Sequence, residues 1–92
     1  MDVRWTKRAA KDLAQICDYT ERHLGIAQAS RAGRVVYSAA ESLTEMPLLG
    51  RAGRKSGTRE LIIAGFPFII IYRARTECVE LLRILHAAQR WP

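Results

Sequence analysis

Catalysis by a nucleophile and a base would need a Ser or Cys positioned by a His and an orienting acid, and this sequence has only two histidines and two cysteines. Cys17 and Cys78 lie 61 residues apart with no CxxC or Cys/His spacing, so they read as reduced, isolated thiols in or near a core. His23 falls near the end of a predicted helix, where a solvated imidazole is favourable to the helix dipole. His86 closes an apolar run and admits two readings: a structural or partner-binding residue, or an acid-base group active near neutral pH. No GxxxxGK[ST] loop, HExxH helix or carboxylate pair is present, so neither a cofactor nor a metal is expected. The remaining candidates are cationic. Gly50 to Gly57, GRAGRKSG, has the ingredients of a phosphate loop without the spacing, and reads either as an anion-binding nest or as a solvated basic loop. Arg73 and Arg83 come from neighbouring predicted strands and share a sheet face if the register allows. Together with Arg59 they form either one positive patch or three independent surface arginines. Arg59 and Glu60 alternate along a strand and point to opposite faces.

Several elements must position these groups. Val3 and Trp5 alternate with Asp2 and Arg4, a brief strand signal. Thr6 has the character of a helix N-cap. From there Ala9, Leu13, Ile16, Cys17, Thr20 and Leu24 recur at helical spacing, the charged residues lie mostly elsewhere, and Gly25 supplies a stop, predicting a helix over 7–24. A second series, Ala29, Ala32, Val36, Ala39, Leu43 and Met46, predicts a helix that runs until Pro47 and Gly50 end it. The short Gly25-Ile26 joint implies an antiparallel hairpin with a seam of small residues. Residues 47–58, PLLGRAGRKSGT, contain no acid and read as an exposed loop. TRELIIA, FIIIYRA and CVELLRILH then alternate with tight turns, predicting a three-stranded antiparallel meander. Its middle strand, Phe68 to Arg73, is apolar at nearly every position and belongs at the centre of a sheet. Trp5 and Trp91 read as packing anchors for the two ends of the chain. The expected architecture is α+β in the order β-α-α-β-β-β: one domain over 1–92, with a helical hairpin packed on a small, mainly antiparallel sheet.

Charge narrows the partners. Residues 1–50 hold seven Lys and Arg against six Asp and Glu, whereas residues 51–92 hold eight against three. The excess in the C-terminal half points to a polyanion or an acidic protein partner. No run approaches the roughly 20 apolar residues of a membrane span, and the start lacks the layout of a signal peptide, so a cytoplasmic location is expected.

The stretch from Gly57 to Pro92 resembles the C-terminal half of toxins of the ParE/RelE superfamily: Thr58-Arg59-Glu60-Leu61, the Pro67-aromatic turn into a strand ending Tyr72-Arg73, and the closing Leu85-His86 with Arg90, Trp91 and Pro92 after it. Trp5, Ala9-Ala10, Asp12-Leu13, Tyr19, Pro47 and Gly50-Arg51 extend the likeness over the whole chain. The resemblance implies the RelE/ParE-like fold and a toxin held inactive by a cognate antitoxin with an acidic binding segment. It implies one of two activities. ParE-like members bind DNA gyrase, which would use Arg51, Arg54, Lys55, Arg59, Arg83, His86, Arg90 and Trp91. RelE-like members cut messenger RNA on the ribosome, which would use His86 with Arg59, Arg73 and Arg83. The RNA-cutting members typically open the central strand with an arginine in a pattern like Arg-Leu-Val-Tyr, and here Ile69-Ile70-Ile71-Tyr72 stands there. Glu60 and Ile62 occupy positions where RelE alternates lysines, and no tyrosine follows Arg83. The resemblance therefore favours the gyrase-binding, non-enzymatic class, with Glu60 read as an anion that would repel RNA.

Overall fold

A computed structural model of the chain describes residues 1–86 and Trp91. The elements run β1 (Asp2–Trp5), α1 (Lys7–Leu24), α2 (Ile26–Ser42), β2 (Arg51–Ala52), β3 (Arg59–Ile62), β4 (Phe68–Ala74) and β5 (Cys78–His86). The sheet order is β1-β5-β4-β3-β2, with β1 parallel to β5 and every other pair antiparallel. The apolar strand β4 is central, as its composition predicts. The expected order gains one strand, because residues 47–58 are not all loop: Arg51 and Ala52 pair with Glu60 and Arg59 and extend the sheet at its edge. Two residues flanked by glycines carry too little alternation to reveal a strand.

Both helices cover one face of the sheet. Ala9, Ala32, Val36, Ala40 and Leu43 meet Phe68, Ile70, Tyr72, Val79, Leu81 and Ile84 in one core. Gly25, with φ 89°, makes the joint between the helices, and a Cβ on Gly33 would lie 3.5 Å from Cys17 Sγ across the seam. α2 ends at Ser42, short of the expected Met46. The Ser42 hydroxyl donates to Ala39 O, and both the hydroxyl and the amide of Thr44 donate to Glu41 O. These bonds occupy carbonyls that a continuing helix needs and turn the backbone into successive tight turns. Leu43 completes the apolar series in the core, while Met46 is exposed.

β5 contains a bulge that decides what faces the helices. Leu81 pairs with Tyr72 and Arg83 with Ile71, so Leu82 is an extra residue. Strict alternation from Leu81 would turn Ile84 away from the helices. With the extra residue, Leu81 and Ile84 both enter the core.

β1 stops at Trp5, leaving the edge of β5 beyond Leu81 without a strand partner. The next residues replace it. Thr6 N donates to Leu81 O at 3.1 Å, the Thr6 hydroxyl donates to Leu82 O at 3.2 Å, and Ile84 N donates to Asp12 Oδ2 at 3.0 Å. Thr6 Oγ1 also accepts from Ala9 N at 3.1 Å, so one hydroxyl caps α1 and closes the sheet edge. Thr6→Ala should lower stability by about 1–2 kcal/mol in urea unfolding, at the upper end for a cap because two bonds go together. Thr6→Ser should recover most of that loss.

Candidate functional site

The central strand divides the candidate residues between two faces. Phe68, Ile70 and Tyr72 point to the helices, so Ile69, Ile71 and Arg73 point outward. Register extends the outer face across the sheet: Ile62, Ile69 and Leu85 form one cross-strand row, and Glu60 lies beside Ile71. Ile71 and Leu85 are buried although they lie outside the helix-facing core, and Ile62 is exposed. Of the positions singled out by the resemblance, Ile62 and Ile69 are thus aliphatic neighbours on the outer face, and Glu60 is a buried carboxylate two residues before Ile62.

Glu60 does not act as a free anion, which corrects the sequence-based reading. It is buried, and the Arg51 guanidinium donates to its Oε1 from Nε at 3.2 Å and from Nη2 at 3.0 Å. The β2–β3 pairing places these residues directly opposite each other. With its charge offset by a neighbouring cation, Glu60 presents little repulsion to a polyanion.

Arg59, Arg73 and Arg83 do not make one patch. Arg59 stands opposite Tyr72 on the helix-facing side and donates to Gly50 O at 2.8 Å. Tyr72 is fully buried, and its hydroxyl accepts from Gly50 N at 2.8 Å. Gly50 is required there, since a Cβ would come within 2.8 Å of the Tyr72 ring and 2.9 Å of Glu60 O. Arg73 faces outward. Glu80 lies opposite it but is bound by Arg75 at 3.1 Å, and Arg73 Nε is buried without an acceptor among the described residues. Arg83 sits at the bulge, where its Nε donates to Asp12 Oδ2 at 2.7 Å and its Nη2 to Oδ1 at 3.2 Å.

His86 is far from Arg59. It pairs with Phe68 and Arg59 with Tyr72, four residues apart on β4, or about 13 Å along a strand. His86 lines an open groove of ≈ 550 Å³ with Ile16, Tyr19, Phe66, Phe68 and Ile84, between the helices and the end of the sheet. Trp91 is half-buried, and its indole nitrogen is buried without an acceptor among the described residues. Trp5 stacks on Tyr37 with centroids 6.3 Å apart, as a packing anchor should. Arg90 lies outside the described residues. Arg54 and Lys55 are exposed at the turn between β2 and β3 and make no ion pair among the described residues. Burial raises the Cys17 thiol above its ordinary range, which keeps it protonated and unreactive near neutral pH.

Asp12 is the residue that the sequence reading missed. As a charged residue of α1 it is expected to face solvent, yet it is 6% exposed and ties the helix to β5. Its position three residues after Ala9 and four before Ile16, on the apolar stripe, was the available signal. Among the described residues, no helix is long and apolar enough to cross a membrane, and no three His, Cys, Asp or Glu side chains gather as a metal site.

A helical hairpin on one face of a mixed sheet, with a basic C-terminal half, is the frame of a known toxin class. The family described as the ParE toxin of the type II toxin-antitoxin system, parDE, matches residues 3–91, and the chain belongs to it. Toxin Y4kP of Sinorhizobium fredii is 42% identical over 98% of this chain and 92% of its own length. Toxin RelE2 of Caulobacter vibrioides is 38% identical over 95% of this chain and 96% of its own. Among solved structures, the chromosomal ParDE toxin-antitoxin system from P. aeruginosa superimposes with a TM-score of 0.87 at 27% identity, over 94% of this chain and 95% of that one. The protein is accordingly a toxin of a type II toxin-antitoxin system.

Proposed function

We propose that this toxin acts in the cytoplasm as a non-catalytic inhibitor that binds DNA gyrase and is neutralised by a cognate antitoxin through an acidic segment. The observation that carries the reading is the outer row Ile62–Ile69–Leu85. An enzyme that cleaves RNA by attack of a 2′-hydroxyl must stabilise charge developing on the phosphate, for which positioned cations are the usual means. Aliphatic side chains cannot do so. The separation of Arg59 from His86 along β4, with Arg83 engaged by Asp12, supports the same reading, because the groups that act on one phosphate must lie within hydrogen-bond reach of it. An acidic antitoxin segment suits the charge excess of residues 51–92.

Purified toxin is expected to inhibit gyrase supercoiling or to trap cleaved DNA, and gyrase unaffected at concentrations that arrest cells would remove this reading. The alternative, a ribosome-dependent messenger RNA endoribonuclease, draws on the likeness to a relative named RelE2. Mapping transcript ends after induction separates the two, since intact messages during arrest exclude the nuclease.

A further inference from the structure

The turn between β2 and β3 is built to hold two cations outward. Gly53 N donates to Thr58 O at 2.8 Å and Thr58 N to Lys55 O at 3.1 Å, while the Thr58 hydroxyl also reaches Lys55 O. Thr58 is buried, and a Cβ on Gly53 would overlap its side chain. Gly57, with φ 78°, takes a backbone conformation that suits glycine. The result is a hydrogen-bonded tip whose exposed side chains include Arg54 and Lys55. Glu60, the carboxylate in this hairpin, is bound to Arg51 and does not neutralise them.

A second observation lies at the root of the same hairpin. Arg59 pairs with Tyr72, so Arg73 is one residue beyond that pair, beside the strand that leads into the tip. Its cross-strand carboxylate is engaged by Arg75, and its buried Nε has no acceptor among the described residues. A buried N–H left unpaired is costly and commonly marks a place where an unseen anion or water belongs. Two projecting cations at the tip and, at its root, a guanidinium whose Nε has no acceptor among the described residues describe a receptor for anionic oxygens.

We propose that the Arg51–Thr58 hairpin tip, with Arg73 at its root, binds the phosphodiester backbone of duplex DNA. The turn favours a duplex over single-stranded RNA because the whole stretch from Pro47 to Thr58 lacks an aromatic residue, and proteins that hold single strands rely on aromatic stacking of bases. Cations of this kind neutralise phosphates and supply sequence-independent backbone contacts. The inference rests on the gyrase reading for its setting: the toxin would grip DNA that the enzyme is handling, in addition to touching the enzyme.

The test uses full-length toxin without gyrase, so that it can fail or succeed separately from that reading. Fluorescence anisotropy follows titration of toxin into a labelled DNA duplex, a single-stranded RNA of equal length and a poly-glutamate peptide, each over a series of salt concentrations. The duplex should bind most tightly. In an Arg54→Ala/Lys55→Ala variant its affinity should fall roughly tenfold, and the salt slope should fall by about 2, one for each lost phosphate contact. Arg73→Gln should weaken duplex binding in the same direction. Both tip residues are exposed, and matching thermal melts establish that the double variant is folded. Unchanged duplex affinity in the double variant, or tighter binding of the RNA or the acidic peptide, overturns the proposal. Duplex binding without gyrase inhibition would overturn the gyrase reading and leave this one standing.

Discussion

Replacing Asp12 with alanine should lower the stability of the toxin by about 3 kcal/mol, a large part of what a domain of this size possesses. The carboxylate is 6% exposed and receives three donors: Arg83 Nε and Nη2, and the amide of Ile84. Removing it strands a guanidinium whose side chain is only 18% exposed, and leaves an edge-strand amide unpaired where no neighbouring strand can take it. Breaking a buried pair on one side costs more than the pair is worth, because the surviving charge keeps its desolvation penalty. Asp12→Asn keeps an acceptor oxygen and should lose only about 1–2 kcal/mol. Adding Arg83→Met to Asp12→Ala should restore part of the loss, giving a positive coupling in a double-mutant cycle. Urea unfolding of the four proteins reads all of this. A loss well below 1 kcal/mol for Asp12→Ala would mean that the contact between α1 and β5 rests on packing alone.

Tyr72→Ala is expected to cost about 3–5 kcal/mol, the range for truncating a large buried aromatic residue. Tyr72 is the largest of the fully buried side chains and lies on the central strand. Its hydroxyl also accepts the amide of Gly50, where the chain enters β2. Tyr72→Phe isolates that second role. It should cost about 1–2 kcal/mol, mostly from the stranded Gly50 amide. In hydrogen exchange, the amide of Gly50 should lose protection in Tyr72→Phe while those of β4 keep theirs. Equal loss across the sheet would assign the tyrosine to general packing instead.

Much of the architecture was legible because period and punctuation agreed. Thr6 and Gly25 bracket α1, and the unbroken apolar run of β4 marks the strand with a partner on each side. The end of α2 was not, since Ser42 and Thr44 cap its carbonyls with their own hydroxyls before Pro47 arrives. β2 escaped because its pairing depends on Glu60, nine residues after Arg51. At the candidate site, the outward placing of Ile62 and Ile69 followed from alternation along their strands. The fates of Arg51, Arg59 and Arg83 did not, because each is set by a contact distant in sequence: Glu60, Gly50 and Asp12. Charge on a residue is readable from its letter, whereas its partner is a property of the fold. Leu82 shows the limit most plainly, since one extra residue in β5 reverses which later side chains meet the helices.

The pairing of Asp2 with Cys78 carries a consequence for how the protein comes into being. The first strand of the sheet finds its partner in β5, the strand most distant from it along the chain. Until β5 emerges, β1 has nothing to lie against, Asp12 has no guanidinium to bind and β4 has an open edge. The two helices and the β2–β3–β4 hairpins can pair early, as near neighbours in the chain, but β1 must wait for β5. The core therefore closes on a contact that spans most of the sheet's chain, which leaves an interval in which a waiting partner meets an unfinished fold.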